Sequence, residues 1–285
     1  MHEGMKSTIH SLADDVYSRV VELRRTLHRH PELAFEEEET ARTIADALAD
    51  LPLTIHTGIA RTGIIAVLEG GQPGPTISLR ADMDALPIQE ENDVPYASQK
   101  SGVMHACGHD AHSASLLGAA IILSQVKEEL PGTIRFIFQP SEERLPGGAK
   151  VMMEEQALKP LNGTPAPETI FGQHVMPELP ADQIGVRGGM YMASTDEIHI
   201  TIHGEGGHGA MPHTRDSDPV VVASHVVLAL QNIISRNCPP NVPSVLTIGK
   251  LHAPGATNVI PETAHLEGTF RAMNEEWRFR AHKLI

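Results

Sequence analysis

A chain of 285 residues can hold one large core or two smaller domains. Its formal net charge of −14, from 36 acidic and 22 basic residues, argues against a nucleic-acid partner, because such binding leans on Lys and Arg. The two cysteines, Cys107 and Cys238, make no disulfide framework, and neither an export leader nor an unbroken apolar run of about 18 residues is present, so a soluble, cytoplasmic protein is expected.

Val16, Val20, Leu23 and Leu27 lie at helical spacing and predict a helix over residues 16–28, broken by His30-Pro31-Glu32. A second helix is expected over about residues 40–51, with the acidic residues 36–39 suited to its N-terminal end. Short β-type runs follow at 63–68 and 76–79, separated by the turn signal EGGQPGP. A long helix is predicted over 113–130, ended by Pro131-Gly132. TIRFIFQ at 133–139 is the strongest strand, and a helix over 147–157 and a strand over 170–175 come next. Strand and helix alternate, with polar residues just after the strands. That pattern predicts an α/β fold with an open, mostly parallel sheet, whose sites form beyond the carboxyl ends of its strands.

From about Val186 the texture changes. A strand over 197–203, a helix over 219–234 with Pro219 at its start, strands over 244–251 and 264–272, and a last helix capped by Asn274 are expected. The domains predicted are therefore residues 1–185 and 186–285. The second reads as an α+β sandwich whose closing element is missing, as in a C-terminally truncated chain.

Seventeen histidines exceed what a plain surface needs, so their clustering carries the information. Four segments offer metal-ligand chemistry at strand ends or tight loops: Asp82-Met83-Asp84, Cys107-Gly108-His109-Asp110, Glu142-Glu143 and His174. Each alone has a plain structural reading: a buried apolar Cys, a solvated acidic turn, a satisfied core His. Together they supply a thiolate, imidazoles, a carboxylate ligand and a second carboxylate free to move protons, which is the inventory of a metal-dependent hydrolase.

In chain order the sequence also contains LHRHPEL (27–33), LRADMDALP (79–87), MHACGHDAH (104–112), FIFQPSEE (136–143), GQHV (172–175), HGAMPH (208–213) and ATNVIPE (256–262). These runs resemble those of the metallo-amidohydrolases that include hippurate hydrolase, N-acyl-amino-acid amidohydrolases and auxin-conjugate hydrolases, relatives of aminoacylase and carboxypeptidase G. The resemblance implies a zinc-peptidase-like catalytic domain with an inserted lid and dimerisation domain. It further implies two divalent metal ions (zinc, manganese, nickel or cobalt), a small N-acyl amino acid substrate, and a homodimer formed through the lid. By position it implies that Cys107 bridges the metals, with His109, Glu143 and His174 as further ligands. Glu142 becomes the general base, which takes the proton of the attacking water and passes it to the leaving amine. Asp84 becomes a clamp on a ligand histidine. His208 stabilises the oxyanion in the partner subunit's site, and Asn258 and Arg271 contact the substrate's carboxylate.

The resemblance also implies a further histidine ligand beyond Ile285. Hence a rival expectation: a catalytically impaired fragment that acts at most as a binding or dimerisation module. A second rival makes Cys107 a nucleophile.

Overall fold

The structure, a computed structural model, describes residues 3–285, and the chain divides into two compact units at Pro180/Ala181. In the first unit, β2 (Gly63–Glu69) and β4 (Pro131–Gln139) form the sheet centre. Their apolar runs are buried on both faces, which is why they do not alternate. Ile64, Leu68, Phe136 and Phe138 pack with Ile44 and Leu48 of α2 (Glu38–Leu48) and Leu117 of α3 (His109–Gln125). On the opposite face, Ile65, Val67 and Ile137 pack with Met152 of α4 (Gly148–Glu154). The outermost helix, α1 (Glu3–Arg29), lies on α3, where a Cβ at Gly118 would fall 2.9 Å from Val20 Cγ2.

With β1 (Thr54–Ile59), β3 (Gln72–Asp82) and β5 (Thr169–Gly172), the strand order is β1-β2-β4-β3-β5. The sheet is mixed rather than mostly parallel: β3 runs parallel to β4 and β5, whereas β2 runs antiparallel to β1 and β4. The cause is local. β1 and β2 are joined by Ala60-Arg61-Thr62 alone, with Ala60 and Arg61 at φ 50° and 79°, and so short a link can only close an antiparallel hairpin. The expected turn at EGGQPGP is shorter than its composition suggested, because β3 already starts at Gln72, with an irregular register up to Thr76.

Other boundaries moved as well. α1 starts at Glu3, well before its apolar stripe, and α3 starts at His109 rather than Ser113. β5 ends at Gly172, so His174 lies just past the strand and not within it.

In the second unit, β6 (Asp196–His203), β10 (Thr263–Ala272) and β8 (Ser244–His252) form an antiparallel sheet in that order. α5 (Pro219–Asn232) and α6 (Glu275–His282) cover one face, where Ile198, Leu230, Phe270 and Trp277 form the core. Glu197, His199, Thr201 and His265 occupy alternate, outward positions. A short pair, β7 (Gly207–His208) with β9 (Val259–Ile260), stands beside this sheet. By length and composition, Pro219–Asn237 (19 residues, mean hydropathy 1.3) is apolar enough to cross a bilayer. Ser224, His225, Gln231 and Asn232 interrupt it, however, and Ala223, Leu230 and Ile233 are buried in the unit's cores.

Candidate metal centre

Three polar segments converge beyond the carboxyl ends of β3, β4 and β5, joined there by the loop that leads into α3. Gly108, at φ 83°, turns the chain in the left-handed region between Cys107 and His109. A Cβ there would also fall 2.4 Å from Val175 Cγ2, so only glycine lets the segment after β5 come this close. The result is that Cys107 Sγ lies 3.3 Å from His174 Nε2.

The two histidines present the same nitrogen. His109 Nδ1 donates to Asp84 Oδ1 at 3.2 Å, and His174 Nδ1 donates to the carbonyl of Val175 at 2.7 Å. Each Nδ1 therefore carries a proton, and each ring is held by that nitrogen with Nε2 left for the site. His109 Nε2 is buried without a hydrogen-bond partner, 3.8 Å from Asp82 Oδ1 and 3.8 Å from Glu143 Oε1. Ligand atoms of Cys107, His109 and His174 lie within 4.8 Å of one another, as do those of His109, Glu142 and Glu143. An orphaned imidazole nitrogen facing sulfur, nitrogen and carboxylate donors fits a borderline divalent metal.

The carboxylates are held from behind. Three successive backbone N–H groups, those of Ser141, Glu142 and Glu143, donate to buried carboxylates: Ser141 to Glu37 Oε1 at 2.8 Å, Glu142 to Asp84 Oδ1 at 2.9 Å and Glu143 to Asp84 Oδ2 at 2.9 Å. Ser141 adopts φ 46°, so the chain turns sharply as it leaves β4 and aims Glu142 and Glu143 into the site. Burial alone would raise the pKa of Asp84, but the bond from His109 and these backbone donors outweigh it and hold the group low. The Glu142 pKa is raised, first because surrounding protein strips part of its hydration even though solvent reaches it, then because Glu143 repels its charge. The Cys107 thiol is pushed up to about 12, chiefly by desolvation and then by Glu143. A nucleophilic cysteine needs the opposite shift, so these surroundings do not activate Cys107 as a nucleophile.

The remaining predicted residues lie in the second unit. His208 is exposed on β7, and its Nδ1 accepts from the Ala210 N–H at 3.1 Å, which leaves the proton on Nε2. Asn258 adjoins it, its carbonyl accepting from Gly209 N–H at 2.7 Å. Arg271 does not join them: it is exposed near the far end of β10, opposite Val245.

Two residues of the centre's surroundings escaped the sequence reading. His112 is buried one helical turn after His109, bonded through Nδ1 to Asp82 Oδ1 at 2.6 Å, and the Cys107-x-His109-x-x-His112 spacing was the available signal. Glu37 is hidden in a run of four glutamates, and nothing local marks it.

A mixed sheet flanked by helices, with thiol, imidazole and carboxylate donors gathered at its strand ends, defines a metal-binding α/β protein. The chain matches the model of the peptidase family M20/M25/M40 over residues 78–258, and it belongs to that family. It is 44% identical over 269 residues to an N-acetylcysteine deacetylase of Bacillus subtilis, a match that covers 94% of this chain and 69% of that protein. It is 42% identical over 273 residues to an N-acyl-L-amino acid amidohydrolase of Geobacillus stearothermophilus, covering 96% and 72%. Among solved structures, a protein of methicillin-resistant Staphylococcus aureus described as an aminohydrolase superposes with a TM-score of 0.88 at 37% identity, covering 96% of this chain and 71% of that one. A Bacillus subtilis protein described as a dinuclear metal-binding peptidase of the M20 family superposes at 0.75 with 41% identity, covering 93% and 67%.

Proposed function

We propose that the chain is a metal-dependent hydrolase of the amide bond of N-acyl amino acids or related small amides. The observation that carries this reading is the gathering of donors at the strand ends: ligand atoms of Cys107, His109 and His174 lie within 4.8 Å of one another, as do those of His109, Glu142 and Glu143, with the Glu142–Glu143 loop gripped from behind by Asp84. The relatives named for N-acetylcysteine and N-acyl-L-amino acids support the substrate class. The first unit acts as the catalytic domain and the second as a lid and dimerisation domain, in a homodimer formed through the lid. A reducing cytoplasm keeps Cys107 available as a ligand.

Cys107, His109, Glu143 and His174 would hold two divalent ions, drawn from zinc, manganese, nickel and cobalt. Such ions, when bound, polarise the scissile carbonyl and make water acidic enough to attack near neutral pH. Glu142 takes the proton of the attacking water and delivers it to the leaving amine. Asp84 fixes the His109 ring so that Nε2 faces the site. His208, exposed and with its proton on Nε2, donates to the developing oxyanion of the partner subunit's site. Asn258, beside it, takes the substrate's carboxylate. Arg271 is assigned to the same carboxylate on the family resemblance alone.

The full chain, supplied with manganese, zinc or cobalt, should hydrolyse N-acetyl amino acids, lose that activity to a chelator and regain it with metal. Glu142→Ala should keep its metal and lose about 10²–10⁴-fold in turnover. Near-normal turnover by that variant removes Glu142 as the base. Metal binding with no hydrolysis by the parent chain leaves a binding or dimerisation module.

A further inference from the structure

His174 sits on an exposed segment after a short edge strand, yet its Nε2 points at Cys107. No regular element holds the ring, and its placement reduces to one residue, Val175. The Val175 carbonyl accepts from His174 Nδ1 at 2.7 Å, which fixes the imidazole relative to the backbone. The Val175 N–H donates to His112 Nε2 at 2.9 Å, which fixes that backbone relative to α3. A backbone N–H can only donate, so His112 Nε2 must be the acceptor and Nδ1 must carry the proton. Asp82 Oδ1 receives that proton at 2.6 Å, and Arg80 holds the other oxygen of Asp82 at 2.7 Å.

We propose that His112 is a positioning residue that sets His174 for the metal centre through the Asp82–His112–Val175 chain. The inference rests on the reading of His174 as a metal ligand. His112 lies close enough to His109 and Asp82 to be taken for a ligand itself. Both of its ring nitrogens are engaged, one by Asp82 and one by Val175, and this arrangement suits a positioning role. The close seat of Val175 against Gly108 is a second, independent constraint on the same peptide. Together they let a solvent-exposed imidazole keep one orientation.

The test is a double-mutant cycle on the full chain, read by equilibrium binding of cobalt(II) alone and by the thiolate-to-cobalt absorption band. His112→Asn keeps a donor for Asp82, so the buried carboxylate stays satisfied, and removes the acceptor for Val175. Cobalt affinity should fall about 10–100-fold, the range for losing a group that orients a ligand. Adding His112→Asn to His174→Ala should then cost nothing further, because both changes remove the same contact. Parent-like cobalt binding by His112→Asn overturns the proposal, and so do losses that add. A measurement on the parent decides the matter if the variant does not fold: long-range proton–nitrogen spectra should show His112 with its proton on Nδ1, and a proton on Nε2 overturns it. A parent chain that binds cobalt and cleaves nothing refutes the proposed hydrolase activity while leaving the positioning role intact, so the two failures are told apart.

Discussion

Glu37 is the buried member of four consecutive glutamates, and its neighbours Glu36, Glu38 and Glu39 are exposed. Its carboxylate accepts from Thr62 Oγ1 at 2.6 Å and from the Ser141 N–H at 2.8 Å, so it braces the turn that presents Glu142. Burial raises its pKa above the ordinary carboxylate value, which means that the charge itself is costly at neutral pH. Glu37→Gln keeps an acceptor for Ser141 and discards the charge, so it should fold as well as the parent at pH 7. Glu37→Ala leaves the Ser141 amide without a partner and should cost about 1–3 kcal/mol; equal denaturant midpoints for the two variants would sink this account. The contrast with Cys107 and His109 shows what is legible in a sequence. Two ligand-type residues around a glycine advertise a site by chemistry and spacing. Glu37 matters through a partner far away in the chain, Ser141, and its burial arises only when the sheet closes.

At the scale of elements, the alternation of strands and helices was readable because buried runs such as those of β2 and β4 and the Gly- and Pro-rich breaks between them are local signals. Strand direction was not readable, since it depends on which strand slips between β2 and β3, and β1 went unseen because TIHTGI has no buried residue and only a weak pattern. The link between α6 and β6 is likewise tertiary. Arg278 donates from Nε and NH2 to the two oxygens of Asp196 at 2.7 and 2.6 Å, tying the last helix to the first strand of its sheet. The bond from Arg278 holds the Asp196 pKa below its ordinary value of 3.8. A depressed carboxylate stabilises the fold fully above the ordinary value, and that contribution is lost as pH falls below it. Asp196→Asn should therefore be destabilised by about 1 kcal/mol at pH 6, between the values for exposed and buried pairs. The gap should close only as pH falls below the ordinary carboxylate value of 3.8. A melting-temperature difference that is the same above and below that value would refute the coupling.

At the scale of the whole molecule, the proposed homodimer needs an apolar face on the second unit. Val221 and Leu228 are 53% and 67% exposed and lie seven positions apart on α5, hence on one side of the helix. Val221→Asp with Leu228→Asp should shift the chain from dimer to monomer in light scattering without changing its helix content, because neither side chain belongs to the core. A dimer that survives both charges places the interface elsewhere. The first unit carries a different exposure. All four residues of β5 are exposed, Ile170 and Phe171 by half or more, and no described strand pairs with its outer edge. Such an edge is a template for another chain, and a formal net charge of −14 on every molecule opposes that approach. Salt weakens that repulsion, so the solubility of this protein should be governed by ionic strength and concentration before it is governed by heat.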